Sequence, residues 1–222
     1  MGMHCAKAEV LRYLGHRRQA LSPQLDALVD DCLVQLRQAA KPRCAVQTLA
    51  IEVQPGGVLL TESGILLPGQ DLARHLSACR QAALMAVTLG VEADSLIRRT
   101  ETTDLTASLV LDACATQYVE ETCDQLEAEL RQNAGDLSLT SRFSPGYGDL
   151  PLTVQPQLLA LLNAQRSIGL TCTDRFILLP RKSVTALIGF SDQPQAKTSP
   201  CLLCARQADC QYAKEATACE CS

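Results

Sequence analysis

Apolar residues recur at helical spacing after Ser22-Pro23, where Leu25, Leu28, Val29, Cys32, Leu33 and Leu36 follow one another up to Lys41-Pro42. Serine is a favoured N-cap and proline suits the first helical position, so this stretch reads as an amphipathic helix. Over residues 45–53 the pattern changes to a β-rich run, which Pro55-Gly56-Gly57 turns into Val58-Leu59-Leu60. Asp71 reads as the cap of a short helix reaching Arg80. Residues 82–88 are compact and apolar and end at Gly90, which fits a buried strand, with a helix as the alternative.

Asp104 opens the longest helical pattern, with Leu105, Leu109, Asp112, Thr116, Glu120, Cys123 and Leu130 at or near one stripe and Gly135 ending it. Residues 141–153 are rich in Gly, Pro and Ser and read as a loop, or a short strand with a loop. A further helix is expected over 156–166, with Leu158, Leu159, Leu161 and Leu162 on its apolar side and Gly169 stopping it. Residues 176–179 and 184–190 are two strand-like runs separated by Pro180-Arg181-Lys182-Ser183, a hairpin signal. Helices and strands interleave, yet the late strands look hairpin-paired rather than joined by crossovers. The fold class expected is therefore α+β, a largely antiparallel twisted sheet flanked by long helices. No internal repeat is found. The expected organisation is one domain over 1–192, a polar linker over 193–200 and a short Cys-rich tail over 201–222.

Composition narrows the function classes. The 222 residues are 47% apolar but only 3% aromatic, with no Trp, so the core must be built from Leu, Val, Ile and Ala. A net charge of -4 gives no electrostatic reason to expect nucleic acid or an anionic membrane as a partner. The first residues lack the apolar stretch of a signal peptide, and no run approaches the length of a membrane span. A cytoplasmic protein is expected.

Twelve cysteines change that picture only at one end. Cys5, Cys32, Cys44, Cys79, Cys114, Cys123 and Cys172 are scattered, several of them where a helix wants a small apolar residue. A secreted disulfide framework would be distributed differently, so the compartment reads as reducing. The other five are Cys201, Cys204, Cys210, Cys219 and Cys221. Thiolates at Cys201, Cys204 and Cys210 can converge on one metal, with Cys219 or Cys221 as the fourth ligand. Zinc would make the tail a structural knob, and an iron-sulfur cluster would make it a one-electron carrier. A reduced, unstructured tail, or a redox-labile thiol cluster, is the alternative.

The second constellation is Arg142-Phe143-Ser144-Pro145-Gly146-Tyr147, continuing into Gly148-Asp149-Leu150-Pro151. Arginine offers a fixed charge and a fork that matches a carboxylate. Gly146 lets the backbone approach a ligand closely, Pro145 stiffens that approach, and Tyr147 supplies a flat face and a hydroxyl. Together these suit a ligand combining a nucleoside with an amino acid. On residue chemistry alone, a surface turn with an incidental arginine is the stronger reading. Gly146-x-Gly148 is not a dinucleotide loop, since the third glycine and the preceding parallel strand are missing. His4, His16 and His75 are remote from this segment in sequence and read as surface or packing residues.

Arg-x-x-x-Gly-Tyr resembles the S-adenosylmethionine signature in the activation domain of cobalamin-dependent methionine synthase. Two other segments agree in order. Leu111-Asp112-Ala113-Cys114-Ala115-Thr116-x-x-Val119-Glu120 resembles the long helix before the signature in stand-alone members. Ile168-Gly169-Leu170-Thr171 and then Pro180-Arg181-Lys182-Ser183-Val184-Thr185-Ala186 resemble the segment after it. The resemblance covers about residues 71–192. It implies that Arg142 contacts the methionine carboxylate and that backbone at Ser144 and Gly146 meets adenine and ribose, with Tyr147 beside the ligand. Glu120 is then a partner for the ligand's amino group, or else a solvated helix carboxylate.

The family's domain presents S-adenosylmethionine to oxidised cobalamin while an electron arrives from flavodoxin or a reductase, and so reactivates the synthase. Such chemistry needs a positioned sulfonium rather than a general base. The Asp-x-His-x-x-Gly pattern that ligates cobalt is absent here, so the resemblance implies that a cobalamin-binding methionine synthase chain brings the cobalt. Two rivals remain: a metal-binding electron-transfer or assembly protein acting through the tail, and a reactivator of some other corrinoid methyltransferase.

Overall fold

The computed structural model describes residues 3–16 and 21–193. These divide into two compact units: a helical unit of residues 3–41 and 89–121, and a sheet unit of residues 42–88 and 122–193.

The helical unit contains α1 (Met3–Tyr13), α2 (Pro23–Ala39), α4 (Val91–Glu101) and the first part of α5 (Leu105–Asn133). Helix α2 begins as its sequence predicts. Ser22 Oγ accepts from Leu25 N at 3.2 Å, and Val29, Cys32, Leu33 and Leu36 form the buried stripe. Lys7 of α1 reaches both Asp26 and Asp30 of α2 at 2.7 Å. Helix α5 is capped by Asp104, whose Oδ1 accepts from Ala107 N at 2.9 Å. Here Arg37 bonds the buried Glu121 carboxylate at 2.7 Å and lies 4.8 Å from the centre of the Tyr118 ring. Burial pushes the Cys32 thiol up to about 11 and that of Cys114 up to about 12, so both behave as small apolar residues.

Helix α4 is absent from the sequence reading. It has only a narrow apolar stripe, and Ala93 alone is buried. The signal that would have found it is electrostatic: Glu92 and Asp94 in the first turn and Arg98 and Arg99 in the last complement the helix dipole.

The sheet unit is built on β1 (Arg43–Gln54), β2 (Gly57–Leu60), β3 (Ile65–Pro68), β4 (Cys79–Thr88), β5 (Ser138–Leu139) and β8 (Ser183–Ser191). They form one six-stranded sheet in the order β3-β2-β1-β4-β8-β5, and every pairing is antiparallel. The expected α+β class with an antiparallel sheet is what the chain adopts. Strand β4 lies in the interior, and residues 82–88 are fully buried, which explains the unbroken apolar run over 82–87. Against one face of the sheet pack α3 (Gln70–His75), α6 (Gln155–Leu161) and α7 (Ala164–Ile168), through Leu72, Leu76, Leu158 and Ile168 against Leu49, Leu84 and Leu187.

Three sequence expectations are corrected here. The late hairpin does not form as expected: β7 (Leu178–Leu179) pairs with β6 (Thr171–Cys172), while β8 pairs with β4 and β5. A two-residue strand cannot satisfy the backbone of a nine-residue one, whereas neighbours on both sides can. The helix expected over 156–166 is two helices, broken at Asn163, which takes the left-handed conformation at φ 48°. The helix expected to run from Asp71 to Arg80 stops at His75, because Cys79 and Arg80 join β4.

Candidate functional site

The stretch entering the 142–147 loop is held to the sheet before the loop begins. Thr140 N donates to Gly189 O at 3.0 Å, and Gly189 N donates back to Thr140 Oγ1 at 2.9 Å. Phe143 and Leu187 exchange both backbone hydrogen bonds at 2.9 Å, forming an isolated bridge that pins the loop's second residue. At the far end Leu150 enters the hydrophobic core.

Between those anchors the backbone follows its turn chemistry. Tyr147 N donates to Ser144 O at 3.0 Å, with Pro145 second and Gly146 third at φ 91°, the requirement of a type II turn. Leu150 N then donates to Tyr147 O at 3.0 Å, and Gly146 N closes the loop on Leu150 O at 2.8 Å. A Cβ on Gly146 would lie 3.3 Å from Leu152 Cδ2, so space and φ both favour glycine. The result is a short, internally hydrogen-bonded loop with Tyr147 53% exposed.

Arg142 is already in ionic company. Its Nη1 lies 2.8 Å from Asp124 Oδ1 and 3.1 Å from Glu127 Oε2, both on the part of α5 that belongs to the sheet unit. Glu127 is shared with Arg131 at 2.9 Å. With its side chain only 19% exposed, Arg142 has a fixed direction, and a ligand carboxylate would have to share the guanidinium or displace one of these carboxylates. Sequence reading missed Asp124 and Glu127. Their signal is weak, two acids three apart on a helix, and only the fold brings them to residue 142.

His75, which reads from sequence as a surface or packing residue, packs against the loop. Its ring centroid is 5.1 Å from that of Phe143, which in turn meets Tyr147 edge-on at 6.3 Å. His75 Nε2 is 2.8 Å from Ser141 O. A carbonyl only accepts, so Nε2 carries the proton and donates. Burial lowers the His75 pKa below the ordinary imidazole value and outweighs the Ser141 carbonyl, which raises it. In the unfolded chain the ring titrates at about 6.5. As pH falls through that value the unfolded state takes up a proton that folded His75 resists, so stability should decline until the lower folded pKa is reached. Melting temperatures measured between neutral and mildly acidic pH should show this slope, and it should flatten in His75→Gln.

Among the residues proposed from sequence, Arg142, Ser144, Gly146 and Tyr147 share one loop of the sheet unit. Glu120 falls in the helical unit, half-buried; burial holds the Tyr13 phenol above its usual pKa, and the charge of Glu120 adds to that shift. Cys201, Cys204, Cys210 and Cys219 lie outside the described residues. Among the described residues no group of three His, Cys, Asp or Glu side chains is placed to hold a metal ion, and no helix is long and apolar enough to cross a membrane.

No protein-family model and no curated protein matches the sequence. A solved structure does match: a crystal structure of the MetH reactivation domain bound to AdoHcy. The TM-score is 0.62 at 16% identity, covering 86% of this chain and 78% of that one. At that identity the likeness is one of fold.

Proposed function

We propose that this chain binds S-adenosylmethionine at the 142–147 loop and offers its methyl group to a corrinoid carried by a partner chain, most simply a cobalamin-dependent methionine synthase. The observation that carries the reading is the loop itself. An Arg-x-x-x-Gly-Tyr segment forms a closed, internally hydrogen-bonded turn with its tyrosine exposed, in a chain that shares its fold with a reactivation domain bound to AdoHcy. AdoHcy is what S-adenosylmethionine becomes on losing its methyl group.

In this reading Arg142 binds the ligand's carboxylate, and Asp124 and Glu127 hold the guanidinium in place. Backbone at Ser144 and Gly146 lies along adenine and ribose, and Tyr147 offers its ring. Glu120 is the proposed partner of the ligand's amino group. The sulfonium's S–CH3 bond breaks as the methyl group passes to a one-electron-reduced corrinoid, leaving S-adenosylhomocysteine. Flavodoxin or a reductase is the proposed electron donor. No proton moves in that transfer, so no general base is required; orientation and exclusion of water are the chain's contribution.

The test is calorimetric titration of the purified chain with S-adenosylmethionine and S-adenosylhomocysteine. Saturable binding of both at one site is expected, and no heat from either would end the proposal. Mixing the loaded chain with an oxidised synthase and a reductant should then yield methylcobalamin. Success only with another corrinoid protein would keep the site and change the partner.

A further inference from the structure

Helix α3 meets the signature loop at both of its ends, although nearly seventy residues separate the two segments in sequence. At its start, Asp149 Oδ2 accepts from Gln70 N at 2.7 Å and Asp149 Oδ1 accepts from Asp71 N at 3.0 Å. The local N-cap residue is Gly69, which has no side chain for this purpose, so a distant carboxylate caps the helix. Asp71, the cap expected from sequence, pairs with Arg74 instead. At the other end, His75 bonds Ser141 O and packs on Phe143.

Two glycines make the close approach possible. A Cβ at Gly69, where φ is 133°, would lie 2.6 Å from Asp149 Oδ1. A Cβ at Gly148, where φ is 51°, would strike the Asp71 carboxylate. The six residues of α3 span about 9 Å, and the chain from Ser141 to Asp149 is fastened across them.

We infer that α3 is the template that shapes the loop and that Asp149 is its positioning residue. The carboxylate clamps the segment carrying Gly146 and Tyr147 in its closed form, acting through the amides of Gln70 and Asp71 rather than on the ligand. The inference rests on the reading of this loop as the S-adenosylmethionine site, but the loop's shape can be measured without ligand.

The test compares the full chain with Asp149→Ala and Asp149→Asn by amide hydrogen exchange, melting and S-adenosylmethionine titration. In Asp149→Ala the amides of Gln70, Asp71, Gly146, Tyr147 and Leu150 should exchange faster, while those of β4 and β8 keep their protection. Affinity should fall about fivefold, the usual worth of a side-chain cap. Asparagine keeps one acceptor oxygen and should lie between the two. Unchanged exchange at Gly146, Tyr147 and Leu150 would overturn the inference, as would a uniform loss of protection across β4 and β8. If the intact chain binds no S-adenosylmethionine, the site reading fails while the exchange pattern still decides the role of Asp149.

Discussion

If the 142–147 loop binds S-adenosylmethionine as proposed, replacing Arg142 with alanine is expected to weaken that binding by about 10- to 100-fold, since a charge-assisted hydrogen bond to a carboxylate contributes about 1.5–3 kcal/mol. The side chain does not need to be ordered by the ligand. Asp124 and Glu127 already hold its Nη1, so little conformational entropy is lost on binding. The fold should survive the change, because Asp124 is 56% exposed and Glu127 retains Arg131. Titration calorimetry and melting of the same sample separate the two effects. Equal affinity in the intact and substituted chains would exclude Arg142 as the carboxylate contact. Lysine at this position should recover only part of the loss, since it supplies charge without the planar fork.

Gly189→Ala should be a damaging small change in the sheet unit. A Cβ there would lie 2.5 Å from Cys79 Sγ and 2.6 Å from Leu76 Cδ2, and both residues are buried. Overpacking of this kind costs about 1–3 kcal/mol. For a chain of this size that lowers the melting temperature by roughly 3–10 °C. Gly189 also exchanges two hydrogen bonds with Thr140, the residue that leads into the signature loop. On the proposed reading of that loop, S-adenosylmethionine affinity is therefore expected to fall along with stability. A melting temperature within one degree of the parent would mean that the Cys79 and Leu76 side chains can move aside at no cost.

Several elements were legible in the sequence because their information is local. The Ser22-Pro23 start of α2, the Asp104 start of α5 and the Pro55-Gly56-Gly57 turn each depend on residues a few positions apart, and each appears where it was expected. The unbroken apolar run over 82–87 reported its own burial. Elsewhere the deciding partner was remote. Residues 184–190 had the composition of a strand, but nothing in them says that β4 and β5, rather than the preceding β7, are the neighbours. Asp71 had the right chemistry for a cap, and Asp149 took the position.

The signature loop divides along the same line. Arg142-x-x-x-Gly146-Tyr147, with its Pro-Gly turn, could be read from six consecutive residues, because turn geometry and donor chemistry belong to the residues themselves. The sequence by itself determined the α+β class, the main helix starts and the candidate ligand-binding segment. Only the tertiary structure decided that Asp124 and Glu127 aim the arginine, that His75 supports the aromatic pair, and that Asp149 fastens the loop to α3. Those are pairings across long stretches of chain. They are selected by the packing that lets buried backbone and charge find partners, and no pattern within either partner encodes the choice.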